Sequence, residues 1–216
     1  MINSEIIRRT EDFVKTQLAN AEGGHDWWHI YRVWKLAKQI AENEGVDSII
    51  IDLGSLLHDI ADAKFHDGDE EIGPKISQEF LESLEVDDET IDHIDKIIRN
   101  ISFKNSKDQK FRSPELDIIQ DADRLDAIGA IGIARAFNYG GFKNRAIYNP
   151  EIEPNLNMTK AEYKKSLSPT VNHFYEKLFL LKEMMNTKTG REMAEERHQF
   201  MVDFLDQFYE EWKRVK

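Results

Sequence analysis

Apolar residues recur along this chain at helical rather than strand spacing. Ile6, Phe13, Val14 and Leu18 form one stripe behind Ser4, which stands at an N-cap position. Ile30, Val33, Trp34, Ala37, Ile40 and Ala41 form a second, preceded by Asp26 as a capping carboxylate. Asp47 or Ser48 opens a helix through IIIDLGSLLHD, and Asp87 or Asp88 opens another through ETIDHIDKIIRN. The run PELDIIQDADRLDAIGAIGIARAF begins with Pro114 in a first-turn position, where its missing N–H is harmless, and predicts one long helix. Two more long helices close the chain: PTVNHFYEKLFLLKEMM and the segment from Arg191 to Trp212. No alternating run of β-branched residues is bounded by turns. Residues 63–70, 102–113 and 138–158 read as loops, the last carrying Gly140, Gly141, Pro150 and Pro154. The expectation is an all-α fold, one domain over 1–216, with the helices from about 169 packing on the same core.

Composition narrows this picture. A chain of 216 residues can bury a full core without crosslinks. It contains no cysteine, which removes disulfides, thiolate metal sites and a cysteine nucleophile. The start, MINSEIIRRTEDF, is amphipathic and charged and does not read as a signal peptide; no apolar stretch is long enough for a bilayer. A cytoplasmic protein without membrane partners is expected. The formal net charge of −12 argues against duplex nucleic acid as a partner. A small anionic substrate stays compatible, because a divalent cation and a few local Lys and Arg can hold phosphate.

Candidate chemistry lies in polar residues set among apolar ones. His29 shares the helical spacing of Val33, Leu36 and Ile40, so its face turns inward. His58 and Asp59 follow Leu53, Leu56 and Leu57, and adjacent helical positions about 100° apart can border one cavity. Asp123 sits between Ala122 and Leu125. Each has a structural reading: a core histidine bonded to backbone, a helix-ending ion pair, an aspartate satisfied by Arg124 or a helix N-terminus. Together, two imidazoles and two carboxylates on three separate helices suit a borderline divalent ion better than Ca2+. Four protein ligands would leave an octahedral ion two positions for water and a substrate oxygen.

His29, the doublet His58-Asp59 and Asp123 in DADRLDA resemble the H…HD…D signature of the HD-domain metal-dependent phosphohydrolases. The likeness extends through HDWWHIYRVWKLA, LLHDIADAKFHDGD, RNISFK and NHFYEKLFLLKEMMNTKTGREMAEERHQFM, and looks like the YpgQ/YedJ-type branch. That resemblance implies a helical bundle around a metal, with His29, His58, Asp59 and Asp123 as ligands. It implies a divalent cofactor, Mn2+ foremost, with Mg2+, Co2+, Ni2+, Fe2+ or Zn2+ also suited. It implies hydrolysis of (deoxy)nucleoside triphosphates to monophosphate and pyrophosphate through a metal-bound water. Asp62 falls where related hydrolases carry an acidic residue for proton handling, here Asp instead of the more usual Glu, and Asp67 falls on a second acidic position. Arg32, Lys64, Lys104, His173 and Lys177 are the candidate phosphate contacts, the last two being four apart in NHFYEKL. Tyr139, Phe142 and Tyr148 are candidates to stack on a base. A 5′-nucleotidase, a cyclic-nucleotide or alarmone phosphohydrolase, and a non-catalytic nucleotide sensor are the rival readings. A dinuclear enzyme would need further ligands such as His66 or His93, the latter in a polar stretch that reads as exposed. A monomer and a homodimer are both compatible with the surface.

Overall fold

The computed structural model describes residues 2–19, 21, 24–61, 69, 71–101, 111–158, 162 and 166–214. All regular structure among the described residues is helical, in agreement with the predicted class. None of the described helices is long and apolar enough to cross a membrane. The chain divides into two compact units, Met1–Ala122 and Asp123–Lys216.

The first unit holds α1 (Ile2–Gln17), α2 (Trp27–Glu44), α3 (Ile49–Leu57), α4 (Ile72–Ser83), α5 (Asp88–Asn100) and the greater part of α6 (Pro114–Asp126). Helix α3 is its centre and packs against α1, α2 and α5. Its sequence IIIDLGSLL is apolar on nearly every side, as befits a helix surrounded by others. Leu53, Leu56 and Leu57 are fully buried among Val14, Ile30, Trp34, Leu81, Ile91 and Ile94. Local capping starts the helices where the sequence predicts. Asp26 Oδ1 accepts from His29 N–H (3.0 Å), Ser48 Oγ from Ile50 N–H (3.2 Å) and Asp87 Oδ1 from Thr90 N–H (2.9 Å). Ser4 is a different case: α1 begins at Ile2, so Ser4 lies inside the helix and not at its cap. Helix α4 is an addition to the prediction; Ile76, Phe80 and Leu81 give it its inward stripe.

The second unit contains the end of α6, then α7 (Gly129–Phe142), α8 (Asn172–Glu176), a 3₁₀ helix (Leu178–Met184) and α9 (Lys188–Arg214). The run expected as one helix from Pro114 is therefore two. Gly129 supplies the break with φ +73°, and a Cβ on Gly132 would lie 2.2 Å from the Ala127 carbonyl oxygen. Two side chains secure the break: Arg197 Nη1 donates to Leu125 O (2.5 Å), and Arg135 Nη1 pairs with buried Asp126 Oδ2 (2.7 Å). Helix α7 then continues to Phe142, so the expected loop over 138–158 begins later.

PTVNHFYEKLFLLKEMM is also broken. Lys177, at φ −145° and ψ −55°, ends α8, and the tighter 3₁₀ helix follows. The reason is packing. Phe174 stacks on Phe204 (centroids 6.1 Å), and Phe179 lies on His198 (5.0 Å) and edge-on to Tyr175 (5.3 Å). Spacing Leu178 and Leu181 three apart buries both, which suits three residues per turn. Tyr148 joins Phe208, Tyr209 and Trp212 in a second aromatic group, so it serves packing in this unit.

Candidate metal centre

His29, His58 and Asp59 come from two short segments of the first unit, the start of α2 and the end of α3. His29 sits in the first turn of α2, its backbone N–H held by the Asp26 cap, and its side chain is 1% exposed. His58 follows immediately on α3, where the apolar wall of Leu56 and Leu57 buries it to 5%. Its Nδ1 lies 2.7 Å from the Ser55 carbonyl oxygen. A carbonyl only accepts, so Nδ1 carries the proton in this contact, and metal ligation would fall to Nε2. The two imidazoles stand 5.3 Å apart at 67°. Asp59 is one residue further along, in the turn after α3, and its Oδ2 is 4.0 Å from His29 Nε2.

The polypeptide brings these donors together in two overlapping groups. One ligand atom each of His25, His29 and Asp59 lie within 4.8 Å of one another, and so do those of His29, His58 and Asp123. Asp123 follows directly on Ala122 in α6 and is half-buried. Ligand atoms at about 2.1 Å from an octahedral ion are about 3 Å apart in cis and about 4.2 Å in trans, so the group of His29, His58 and Asp123 could close on one small divalent cation. The donors are mixed imidazole and carboxylate, a set able to hold a divalent metal.

Asp59 is electrostatically prepared for such a role. Burial opposes its ionisation, but the hydrogen bond from His25 and the charges of His25, His58 and His29 prevail and hold the carboxyl well below its usual range. The ionised carboxylate is therefore the form present near neutral pH. The apolar spacing singles out His29 but not His25, which stands beside the capping Asp26. The available signal was spacing, since His25 lies four before His29 in HDWWH.

The other predicted residues divide plainly. Asp62, Lys64, His66, Asp67 and Lys104 lie outside the described residues. Arg32 stands half-buried on α2, one turn beyond His29. His93 is not the exposed residue expected: its ring is partly buried, with Nε2 3.0 Å from Ser113 Oγ and 3.6 Å from Glu115 Oε2. Those contacts engage it in the seam between α5 and α6. Phe142, expected as a stacking candidate, is 63% exposed at the end of α7.

His173 and Lys177 belong to the second unit. They do not share a continuous helical face, because α8 ends at Glu176. Burial, then the charges of Lys177 and Arg145, push His173 down from 6.5 to about 3. It is therefore neutral at physiological pH, a hydrogen-bonding group and not a second cation. Arg145, unmarked in the sequence reading, donates through Nη2 to Ser166 O (2.8 Å) and lies over the Tyr139 ring at 5.6 Å. A stability test follows. The unfolded chain takes up a proton at His173 below about pH 6.5 while the folded chain refuses it until about pH 3. Folded stability should thus fall on acidification through that window, by at most about 1.4 kcal/mol per pH unit from this group. His173→Gln should lose less stability than the parent between pH 7 and pH 4 in urea melts; parallel losses would assign the acid sensitivity elsewhere.

Residues 27–128 match the family described as the HD domain. The chain is 39% identical to YpgQ of Bacillus subtilis (strain 168) over 201 residues, covering 90% of this chain and 88% of that protein. The fold is similar to the crystal structure of YpgQ in complex with ADP, at TM-score 0.78 and 34% identity over 98% of this chain and 97% of that one. It is similar to an HD-superfamily hydrolase from Bacillus thuringiensis at TM-score 0.78 and 43% identity, covering 98% of each. A Lactobacillus plantarum protein superposes with TM-score 0.83 at 36% identity, over 99% of this chain and 100% of that one.

Proposed function

From the premise that this chain belongs to the HD-domain family, we propose that it is a metal-dependent nucleotide phosphohydrolase that splits (deoxy)nucleoside triphosphates into monophosphate and pyrophosphate. The observation that carries the reading is the donor set itself: His58 Nε2 left for ligation by the Ser55 bond at Nδ1, beside His29 and an ionised Asp59. His29, His58, Asp59 and Asp123 are the residues proposed to hold the ion. When bound, the ion supplies a water acidic enough to attack phosphorus near neutral pH and positive charge for the phosphoryl oxygens.

The chain's own groups do the rest. Asp62 accepts or orients the proton of the attacking water, with Asp67 as the second acidic group available. Arg32, Lys64, Lys104 and Lys177 balance phosphate charge, and His173 contributes a neutral N–H donor. On a protein of net charge −12, such local cations are what allow a polyanion to approach. The existence of a YpgQ crystal structure with ADP supports a nucleotide as the ligand class. Mn2+ is the proposed cofactor.

The test is a panel of nucleoside mono-, di- and triphosphates incubated with Mn2+, Mg2+ or Co2+, with both products identified. Equimolar monophosphate and pyrophosphate from a triphosphate is the expected result. Orthophosphate released from dAMP, with dATP left intact, would replace this reading by a 5′-nucleotidase. Tight nucleotide binding by the metal-loaded protein without turnover would make it a sensor.

A further inference from the structure

His25 lies two residues before the segment matched to the HD domain and just ahead of the Asp26 cap. Resting on the reading of Asp59 as a metal ligand, we propose that His25 is a positioning residue, whose contact with Oδ2 fixes the rotation of the Asp59 carboxylate beside His29. His25 Nδ1 stands 2.5 Å from Asp59 Oδ2. An ionised carboxylate only accepts, so Nδ1 is the donor in that contact.

The distance also decides between two roles for the imidazole. Two atoms bound to one ion at about 2.1 Å and at right angles are about 3 Å apart. The 2.5 Å separation is that of a charge-assisted hydrogen bond and is too short for two neighbouring ligands. His25 thus orients a ligand and does not serve as one itself. Such orientation is needed at this position. Asp59 stands in the turn beyond the end of α3, outside the regular helix, and its terminal torsion is intrinsically broad. His25 is in turn held by its neighbours: its ring meets His29 edge-on with centroids 5.8 Å apart at 69°. The cap that starts α2 therefore places two histidines with different duties side by side, one on each side of Asp26.

Mn2+ binding, measured by titration calorimetry and by electron paramagnetic resonance of the free ion, tests this on the full chain with four variants. Asparagine carries an amide N–H where histidine carries Nδ1, whereas glutamine reaches to the place of Nε2. His25→Ala and His25→Gln are expected to weaken Mn2+ binding about 10–100-fold, and His25→Asn to stay within about threefold of wild type. Melting temperatures of the metal-free proteins are read alongside, and His25→Gln supplies the comparison if His25→Ala does not fold. Wild-type affinity in His25→Gln or His25→Ala would overturn the proposal. So would an equal loss in His25→Asn and His25→Gln, which would show that the donor at Nδ1 is not what matters. Asp59→Ala tests the premise separately: undiminished Mn2+ affinity there removes Asp59 as a ligand and the role of His25 with it.

Discussion

His58→Ala is expected to abolish stoichiometric metal binding and, with it, hydrolysis. The substitution removes the imidazole whose Nδ1 is held by the Ser55 carbonyl, which leaves ligation to Nε2. Losing a ligand should exceed the roughly 10–100-fold loss that follows removal of an outer partner. Mn2+ affinity should thus drop by more than about 100-fold, and no nucleotide turnover should survive at micromolar metal. The fold should persist, because the Ser55 bond contributes only about 1 kcal/mol net and α3 keeps its leucines. Elemental analysis after dialysis, together with circular dichroism, checks both halves. His93→Ala is the companion measurement: its ring is engaged with Ser113 and Glu115, and its loss should leave metal content unchanged. Full metal occupancy in His58→Ala would end the proposal that this histidine is a ligand.

Asp62→Ala should behave in the opposite way. The proposed duty of Asp62 is the proton of the attacking water, so Mn2+ content should match wild type while kcat falls by about 10²–10⁴-fold. KM should move little, since no ground-state contact to the nucleotide is assigned to this side chain. Product analysis at saturating triphosphate, paired with elemental analysis, separates the two effects. Unimpaired turnover would transfer the proton to Asp67 or to another group. Measured together, the two variants distinguish holding an ion from using it.

Much of this was legible in the order of residues because it depends on near neighbours. Asp26, Ser48 and Asp87 cap helices through bonds to groups two or three positions away, and the inward stripe of α2 repeats every three or four residues. The doublet at the end of an apolar run was visible for the same reason. Helix ends were less legible where packing overrides propensity. The break at Gly129 is secured by Arg197, 72 residues away from Leu125, and the break at Lys177 by rings brought from α9. Helix α4 went unpredicted because its stripe of Ile76, Phe80 and Leu81 gains meaning only against the core of its unit.

What the sequence by itself determined is the helical class, the capped starts and the inward face of His29 and His58. Those follow from backbone periodicity and from the cost of placing ionisable groups in an apolar wall. What only the tertiary structure decided is how each of those groups is used. His58 presents Nε2 because a carbonyl holds Nδ1, Asp59 is ionised and oriented because His25 meets it from 34 residues away, and His173 is neutral because burial and two cations make it so. Tautomer, orientation and charge are set by distances between residues far apart in the chain. Coulombic and hydrogen-bond energies change steeply over an ångström, a scale that linear spacing does not encode.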